Sequence, residues 1–268
     1  MSLLTAASAA AQRFTAREAS AYRLRLADKT SAGAADVKAA QALRFEVFNL
    51  ELDEGLVQSY DTGLDADPFD AVCDHLLVES VSSGAVIGTY RLQTGRAAQA
   101  AWGYYSEREF EFTPFEPLRG EIVELGRACI HRDHRSFAVL NLLWKGIADY
   151  AQDHGARYLL GCSSLTSQDQ AAGAAAYARL WPHLAPPERR TRPTRRFECA
   201  LGETASTAPR IPRLLSAYLG LGAEICGPPA IDREFRTIDF LTCLDLRAPA
   251  FLAMQRRGRF TARAAVSG

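Results

Sequence analysis

Residues 121–135 have the sequence EIVELGRACIHRDHR, and this segment determines more of the architecture than any other. Its apolar first part, 121–130, has the pattern of a strand, and the polar residues 131–136 indicate a turn. A helix is predicted from 137 to about 154, with Gly155 as a natural C-cap. Because free N–H groups at the start of a helix attract anions, this order predicts a site for a phosphate-bearing ligand.

The rest of the chain alternates between strand and helix patterns. This order indicates a mixed α/β architecture. Two segments are predicted to be loops: the acidic segment 53–74 and the aromatic, irregular segment 99–120. We predict strands at 22–27, 157–162 and 237–246, a hairpin formed by 74–81 and 85–94, and helices at 36–52, 169–184 and 211–221.

The composition excludes several classes of function. Among 268 residues, 31 Lys and Arg balance 31 Asp and Glu, so net charge does not favour nucleic acid or a membrane surface as a partner. Six cysteines are irregularly spaced without a C-x-x-C pair, which argues against zinc and against a disulfide framework. We therefore expect no metal and a reducing compartment.

The ends of the chain and its hydropathy favour a cytoplasmic protein. Residues 1–20 lack the basic start and the continuous apolar run of a signal peptide, and we interpret them as a flexible tail. No apolar run reaches the roughly 20 residues that span a bilayer. We assign residues 21–250 to one folded domain and residues 251–268 to a basic C-terminal tail.

The strand, turn and helix of residues 121–154 resemble the acyl-donor site of GNAT acyltransferases. That family has Arg-x-x-Gly-x-Gly/Ala at the turn, where this chain has Arg135-Ser-Phe-Ala-Val-Leu140. The resemblance implies the GNAT acyl-CoA N-acyltransferase fold, a mixed twisted sheet flanked by helices, with a C-terminal extension. It also implies that the pantetheine arm of the donor lies between the strand of Glu124 and the strand at 157–162.

Side chains occupy both glycine positions of that turn, and this departure bears on the donor. Ala138 and Leu140 add Cβ atoms where the backbone of the family approaches the phosphates of coenzyme A. Acyl carrier protein presents its thioester on a phosphopantetheine with a single phosphodiester. This group needs less close contact with the backbone of the loop than a diphosphate does. We therefore favour acyl carrier protein as the donor, with no separate cofactor.

Further motifs narrow the resemblance. The segments 44–48, 67–70, 88–92 and 124–127 resemble the acyl-homoserine-lactone synthases, which are GNAT relatives that use acyl carrier protein. A closer resemblance is to the ornithine-lipid N-acyltransferases. It implies transfer of a 3-hydroxyacyl chain to the α-amine of ornithine, which forms a lyso-ornithine lipid. This closer match lies at 74–78, 124–135, 184–187 and 214–229.

Other functions stay open on the sequence alone. A lactone synthase would need S-adenosylmethionine and a lactonising pocket. A non-catalytic module would keep the GNAT shell and bind carrier protein or membrane. An acetyltransferase would use acetyl-CoA, which the filled glycine positions disfavour. The acceptor is open as well, because glycine, lysine or glutamine would need only small changes in the pocket.

Glu124 is the predicted catalytic residue. It interrupts an apolar strand, where a carboxylate needs a specific reason to be present. In GNAT enzymes a carboxylate on this strand often takes the proton from the attacking amine, and burial would raise its pKa from about 4.3 toward a useful value. The alternative is a structural ion pair with Arg91 or Arg127.

Three arginines and two aspartates are predicted to form the acceptor pocket. In one interpretation they pair with each other and hold the pocket together; in the other, one guanidinium binds the acceptor carboxylate bidentately. The acidic loop, which also contains Asp74, is a candidate for the side-chain ammonium of ornithine, although acidic loops are commonly only solvated. The five residues are Arg44, Asp67, Asp70, Arg91 and Arg127.

The donor is predicted to contact Arg135 and Ser136 in the turn. Backbone N–H groups near Cys129 and Ile130 are predicted to stabilise the oxyanion, and the two residues are therefore assigned to the donor site. Tyr177 lies on a helix where many GNAT enzymes place the acid for the leaving thiolate, but we interpret it as a core residue.

A basic segment, residues 186–196, is the predicted docking surface. It contains five arginines against one acid, and three prolines prevent a helix. It would bind the acidic carrier protein or the anionic inner leaflet of the cytoplasmic membrane, at about 1 kcal/mol per basic residue near a membrane surface. The alternative is a solvated basic loop.

Overall fold

The computed structural model describes residues 21–27, 33–202, 205 and 209–256. In these residues, eight strands form one sheet in the order β1-β2-β3-β4-β5-β8-β6, with β7 also paired to β8. Only the β4–β5 pair in this sheet is parallel. The strands are β1 Tyr22–Leu26, β2 Asp74–Ser80, β3 Val86–Thr94, β4 Ile122–Ile130, β5 Tyr158–Leu165, β6 Glu224–Ile225, β7 Ala230–Asp232 and β8 Thr237–Asp245.

Helices flank this sheet and confirm the predicted mixed α/β class. The first one continues directly into a π-helix, Glu46–Glu51, and short 3-10 helices occur in the loops. The helix after β4 is the crossover that makes β5 parallel to β4. The α-helices are α1 Gly33–Phe45, α2 Ser59–Thr62, α3 Gly95–Ala100, α4 Phe137–Asp153, α5 Gln170–Leu180, α6 Arg213–Gly220 and α7 Pro249–Arg256.

The two parallel strands pair over a very short distance. Residues 122–124 of β4 are in register with 158–160 of β5, and the two strands then continue to Ile130 and Leu165 without further pairing. At Gly161 the backbones touch, because an added Cβ would lie 2.2 Å from the carbonyl oxygen of Leu125. Beyond this contact the sheet opens, at the place where the donor cleft is predicted from the sequence.

A β-bulge interrupts β4 just beyond the point where the strands separate. The register with β3 joins Thr89 to Cys129 but Arg91 to Gly126, so two residues of β4 lie opposite one residue of β3. One of the two is Arg127, which has a left-handed backbone with φ 50°. A bulge of this kind leaves one residue without a partner in the ladder and increases the local twist.

The bulge also reverses which side chains of β4 face each side of the sheet. Val123 and Leu125, before the bulge, pack into the core beneath α4, and so does Ile130 after it. Cys129 instead packs with α1 and the π-helix. Strict alternation would place Cys129 with Val123, because both positions are odd-numbered. The bulge therefore puts Cys129 on the α1 face.

Several boundaries differ from the sequence prediction for local reasons. The aromatic segment 99–120 is not a plain loop, because it forms 3-10 helices at Tyr105–Arg108 and Thr113–Glu121. β6 and β7 were not predicted, because segments of two and three residues carry no usable periodicity. Residues 251–256 of the predicted tail belong to α7, while 1–20 and 257–268 lie outside the described residues.

None of the helices in the described part of the chain is long and apolar enough to cross a membrane. All six cysteines lie within the described ranges, and none of them forms a disulfide.

The contact between Gly161 and Leu125 gives a prediction about stability. Gly161→Ala should lower the free energy of unfolding by about 1–3 kcal/mol or more, because the new Cβ overlaps a backbone oxygen that cannot move independently. Gly126→Ala is the matched control in the adjacent strand, since an added Cβ there meets nothing within 4 Å. Urea unfolding followed by circular dichroism measures both. Equal stability of the two variants would contradict the described approach of the strands.

Candidate active site

A cavity of about 600 Å³ lies where β4 and β5 have separated, a size typical of ligand pockets. Exposed residues at its edge, Leu52, Arg135 and Arg213, mark its opening. Buried acidic residues, among them Glu109 and Glu124, also line the cavity. Much of the remaining wall is apolar and includes Val47, Phe48, Leu140, Leu143, Leu214 and Phe235.

Glu124 lies on the cavity wall and is only 5% exposed. Its carboxylate accepts hydrogen bonds from the backbone N–H groups of Tyr105 and Ser106, at 2.7 and 2.8 Å, and a third from the Ser106 hydroxyl. Burial raises the pKa of Glu124, and these hydrogen bonds offset part of the rise. The alternative of an ion pair is not what the structure shows, since the nearby arginines pair with aspartates instead.

A buried ion network lies beside Glu124. Arg44, which is 0% exposed, forms two hydrogen bonds with the Asp70 carboxylate at 2.9 and 2.7 Å, and its Nε lies 2.9 Å from Asp65 Oδ1. Arg91 donates to Asp67 at 2.7 Å and to Asp70 at 3.1 Å. Burial favours the neutral acid, but the adjacent guanidinium of Arg44 holds the pKa of Asp70 well below its usual range.

Arg127 connects this network to the cavity. Its Nη2 donates to Asp67 at 2.9 Å, and its Nε lies 3.3 Å from Asp65. The guanidinium also lies over the rings of Tyr105 and Phe235, 4.9 and 4.3 Å from their centroids. The left-handed backbone at the bulge therefore carries a side chain that is held on several sides.

The predicted acceptor residues thus lie together, but their charged groups pair mainly with one another. Arg91 and Arg127 also line the cavity, whereas Arg44, Asp67 and Asp70 do not. Asp74 lies elsewhere and accepts a hydrogen bond from the Tyr150 hydroxyl at 2.6 Å. The arrangement corresponds to the interpretation in which the charges hold the pocket together.

The predicted donor residues surround the opening of the cavity, and Cys129, Ile130 and Arg135 line it. The Arg135 guanidinium forms a bidentate pair with Glu51 at 2.5 and 2.7 Å and donates to the Ile130 carbonyl oxygen at 3.0 Å. The Ser136 side chain caps α4 by accepting from a backbone N–H. Burial raises the pKa of the Cys129 thiol, so it remains a packing residue.

Four further buried carboxylates at the cavity were not predicted. Glu54 accepts a hydrogen bond from the Thr166 hydroxyl, and the other three, Glu109, Asp232 and Asp239, lie within 4.8 Å of one another. Burial, followed by the neighbouring charges, raises the pKa of Glu109 well above its usual range. Burial and then Asp232 raise the pKa of Asp239 to about 6, although Ser164 and Thr237 hydroxyls offset part of that rise. Only Asp239 carried a sequence signal, because like Glu124 it interrupts an apolar strand.

The basic segment 186–196 is largely neutralised within the protein. Arg189 pairs with Glu224 at 2.6 Å, Arg192 with Glu111 at 3.0 Å and Arg196 with Glu234 at 2.5 Å. Docking of an acidic partner at this segment stays a prediction. Such a partner would have to compete with these ion pairs. Tyr177 packs against Trp181 and does not line the cavity.

Comparison with known proteins agrees with this geometry. Residues 43–145 match the acetyltransferase (GNAT) domain family. An L-ornithine N(alpha)-acyltransferase of Rhodobacter capsulatus is 32% identical over 239 residues, which covers 85% of this chain and 91% of that protein. A second, from Rhizobium meliloti, is 32% identical over 240 residues, with 82% and 80% covered.

Solved structures show the same fold at low identity. The acyl-homoserine-lactone synthase LasI superposes with a TM-score of 0.51 at 13% identity, covering 87% of this chain and 93% of that one. FeeM, an N-acyl amino acid synthase from uncultured soil microbes, superposes with a TM-score of 0.50 at 11% identity, covering 85% and 91%.

The open sheet and its cavity are those of a GNAT-fold acyltransferase, an enzyme that forms an amide. Within that class, the chain belongs to the L-ornithine N(alpha)-acyltransferase family, since the identity extends over most of its length.

From the ion network we predict that Arg44 stabilises the folded protein. Arg44→Met removes from two buried carboxylates, Asp65 and Asp70, their nearest guanidinium and should lower the free energy of unfolding by about 3–5 kcal/mol. Arg236→Met, which breaks an exposed pair with Asp53, is the control and should cost below about 1 kcal/mol. Chemical denaturation measures both. An Arg44→Met protein of normal stability that has lost affinity for its amino acid would assign Arg44 to the acceptor.

Proposed function

We propose that this enzyme transfers a 3-hydroxyfatty acyl group from acyl carrier protein to the α-amine of L-ornithine and so forms a lyso-ornithine lipid. The observation that carries the proposal is the lining of the cavity, which combines exposed residues such as Arg135, a largely apolar wall and the buried carboxylate of Glu124. The names of the relatives supply the acceptor, as both are L-ornithine N(alpha)-acyltransferases.

The apolar wall supports a fatty acyl donor. Burial of a methylene group contributes about 0.8 kcal/mol, so a long chain gains substantial affinity from such a wall. A second, smaller cavity of about 60 Å³ continues between Leu125, Gly161 and Leu244, along the other side of the separated strands. An acetyl group would leave most of this apolar surface without a partner.

The turn before α4 supports acyl carrier protein over coenzyme A. Ala138 is buried and Leu140 lines the cavity, so neither position leaves the open backbone that a diphosphate requires. Arg135 at the opening is already held by Glu51. Arg213, at the start of α6, has no ion-pair partner in the part of the chain described, and we propose that it binds the single phosphodiester of the pantetheine arm.

Glu124 is proposed to act as the general base. A carboxylate offers about four lone-pair positions, and three are used by donors of residues 105 and 106, which leaves one for the proton of the acceptor amine. The amine nitrogen then attacks the thioester carbonyl carbon. The carbon–sulfur bond breaks, and the leaving carrier thiolate takes up the proton that Glu124 removed from the amine nitrogen. Backbone N–H groups near Cys129 and Ile130 hold the oxyanion.

The donor and acceptor are tested together by thiol release. Purified enzyme receives 3-hydroxyacyl chains on acyl carrier protein or on coenzyme A, each with and without L-ornithine, and mass spectrometry identifies the product. We expect kcat/KM for ornithine-dependent thiol release to be at least about tenfold higher with the carrier protein than with coenzyme A. The reason is that the filled glycine positions weaken only the contact with the diphosphate. Equal use of acyl-CoA would contradict the donor, and a lactone product would indicate a lactone synthase.

The hydrogen bonds to Glu124 predict a change in pH dependence. Ser106→Ala removes a donor that stabilises the charged carboxylate, so the pKa of Glu124 should rise. Because the base must be deprotonated, the acidic limb of kcat/KM against pH should move upward by about one pH unit. Glu124→Gln should lower kcat by about 10²–10⁴-fold.

Ser80→Ala is the control for this experiment. It removes another buried serine hydroxyl, which bonds to Ser82 and not to a catalytic group, and the profile should not move. An unshifted acidic limb in Ser106→Ala, together with a Glu124→Gln enzyme of normal kcat, would exclude Glu124 as the base.

A further inference from the structure

The cluster formed by Glu109, Asp232 and Asp239 carries negative charge that the protein itself does not balance. Each aspartate in the ion network beside it faces a guanidinium, but none of these three forms an ion pair with any residue in the described ranges. Uncompensated buried carboxylates are costly. All three lie on the wall of the same cavity as Glu124, where a ligand can reach them.

A second observation points to a missing donor. Asp239 is 3% exposed, and its Oδ2 accepts from the Thr237 hydroxyl at 3.1 Å. Its Oδ1 is buried and has no hydrogen bond of good distance and angle among the residues described, although the Ser164 hydroxyl and the Glu109 carboxyl lie close enough to influence the pKa of Asp239. Asp232 differs, because its Oδ1 accepts from the backbone N–H groups of Glu234 and Phe235 and so holds a turn. A buried acceptor with no donor normally has its partner in a bound water or ligand.

The chemistry of the cluster favours an ammonium group over a metal ion. An ammonium has three N–H donors, and the three acidic side chains come from different segments and converge on one point. Calcium takes six to eight oxygen ligands and magnesium requires near-octahedral geometry, which three side chains do not supply.

The cluster and Glu124 line the same cavity and are connected through residues 105–109. Glu109 N–H bonds to the Ser106 carbonyl oxygen, so Glu109 lies one turn beyond the residues that hold Glu124. Cys162, on β5, lies 3.7 Å from the Glu109 carboxylate. A diamino acid with three methylene groups extends roughly 5 Å from its Cα to its terminal nitrogen, given bond lengths of about 1.5 Å.

We propose that Glu109, Asp232 and Asp239 bind the side-chain ammonium of the amino acid acceptor and thereby select diamino acids. This inference rests on the proposed function and identifies the specificity site of that reaction. The acceptor then lies with its α-amine toward Glu124 and its cationic end in the cluster. A neutral amino acid of the same length would leave the buried carboxylates unpaired, which is the situation in which sites discriminate most strongly.

The experiment compares L-ornithine with L-norvaline, which has a similar side chain that ends in a methyl group. With acyl carrier protein as donor, the ratio of kcat/KM for ornithine over norvaline is measured in the wild type, Asp239→Asn and Glu109→Gln. We expect a wild-type ratio of at least about 10². In both variants the ratio should fall by about 10–100-fold, through a higher KM for ornithine and little change for norvaline.

Glu234→Gln is the matched control. Glu234 is two residues from Asp232 and half exposed, and it pairs with Arg196 outside the cavity, so the ratio should stay at the wild-type value. Asp232 itself is avoided because it holds a turn. Thermal melting checks that the two cluster variants remain folded. Each replaces an acid by an amide of the same shape.

The outcomes separate this inference from the function on which it rests. Ornithine acylation by the wild type, with an unchanged ratio in both variants, would overturn the ammonium site and leave the proposed function standing. Equal losses on ornithine and norvaline would overturn it as well and assign the cluster to structure or chemistry. Loss of wild-type activity in a chelator, restored by calcium or magnesium, would replace the ammonium by a metal. No ornithine acylation by the wild type would overturn the proposed function and this inference together.

Discussion

The site depends on one constraint: β4 and β5 remain together only as far as Gly161, where the backbones touch at Leu125. Before that point the strands satisfy each other's N–H and C=O groups, as any buried pair must. After it, each presents an unpaired backbone edge to the space between them. The cavity lies in this separation, and Glu124 is the last residue of β4 that pairs with β5.

Charge is distributed unequally around this opening. The guanidinium groups of Arg44, Arg91 and Arg127 are matched by aspartates from residues 65–70, and these ion pairs make the network part of the scaffold. The three clustered carboxylates, in contrast, form no ion pair among the described residues, although they line the same cavity. Because both groups are buried in a medium of low dielectric constant, the attraction between opposite charges is strong. It stabilises the paired network and favours binding of a cation at the unpaired cluster.

Local patterns explain why the strand, turn and helix around residues 121–154 could be predicted. Their apolar periodicity, the turn residues and the Ser136 cap act over a few positions. The same reasoning could not foresee that Arg135 would be held by Glu51, which is 84 positions away. It assigned Asp67 and Asp70 to the acceptor region, but which partner each carboxylate faces is a property of the folded chain.

The amino-acid sequence by itself determined the class of fold and the one buried carboxylate on β4, because both depend on residues that are neighbours in the chain. Only the tertiary structure decided that Cys129 faces α1, since the bulge that reverses the alternation exists only against β3. It also brought together Glu109, Asp232 and Asp239 from a loop and two C-terminal strands. Contacts between such distant segments leave no periodic trace in a single sequence, because their spacing is set by the packing of the whole sheet.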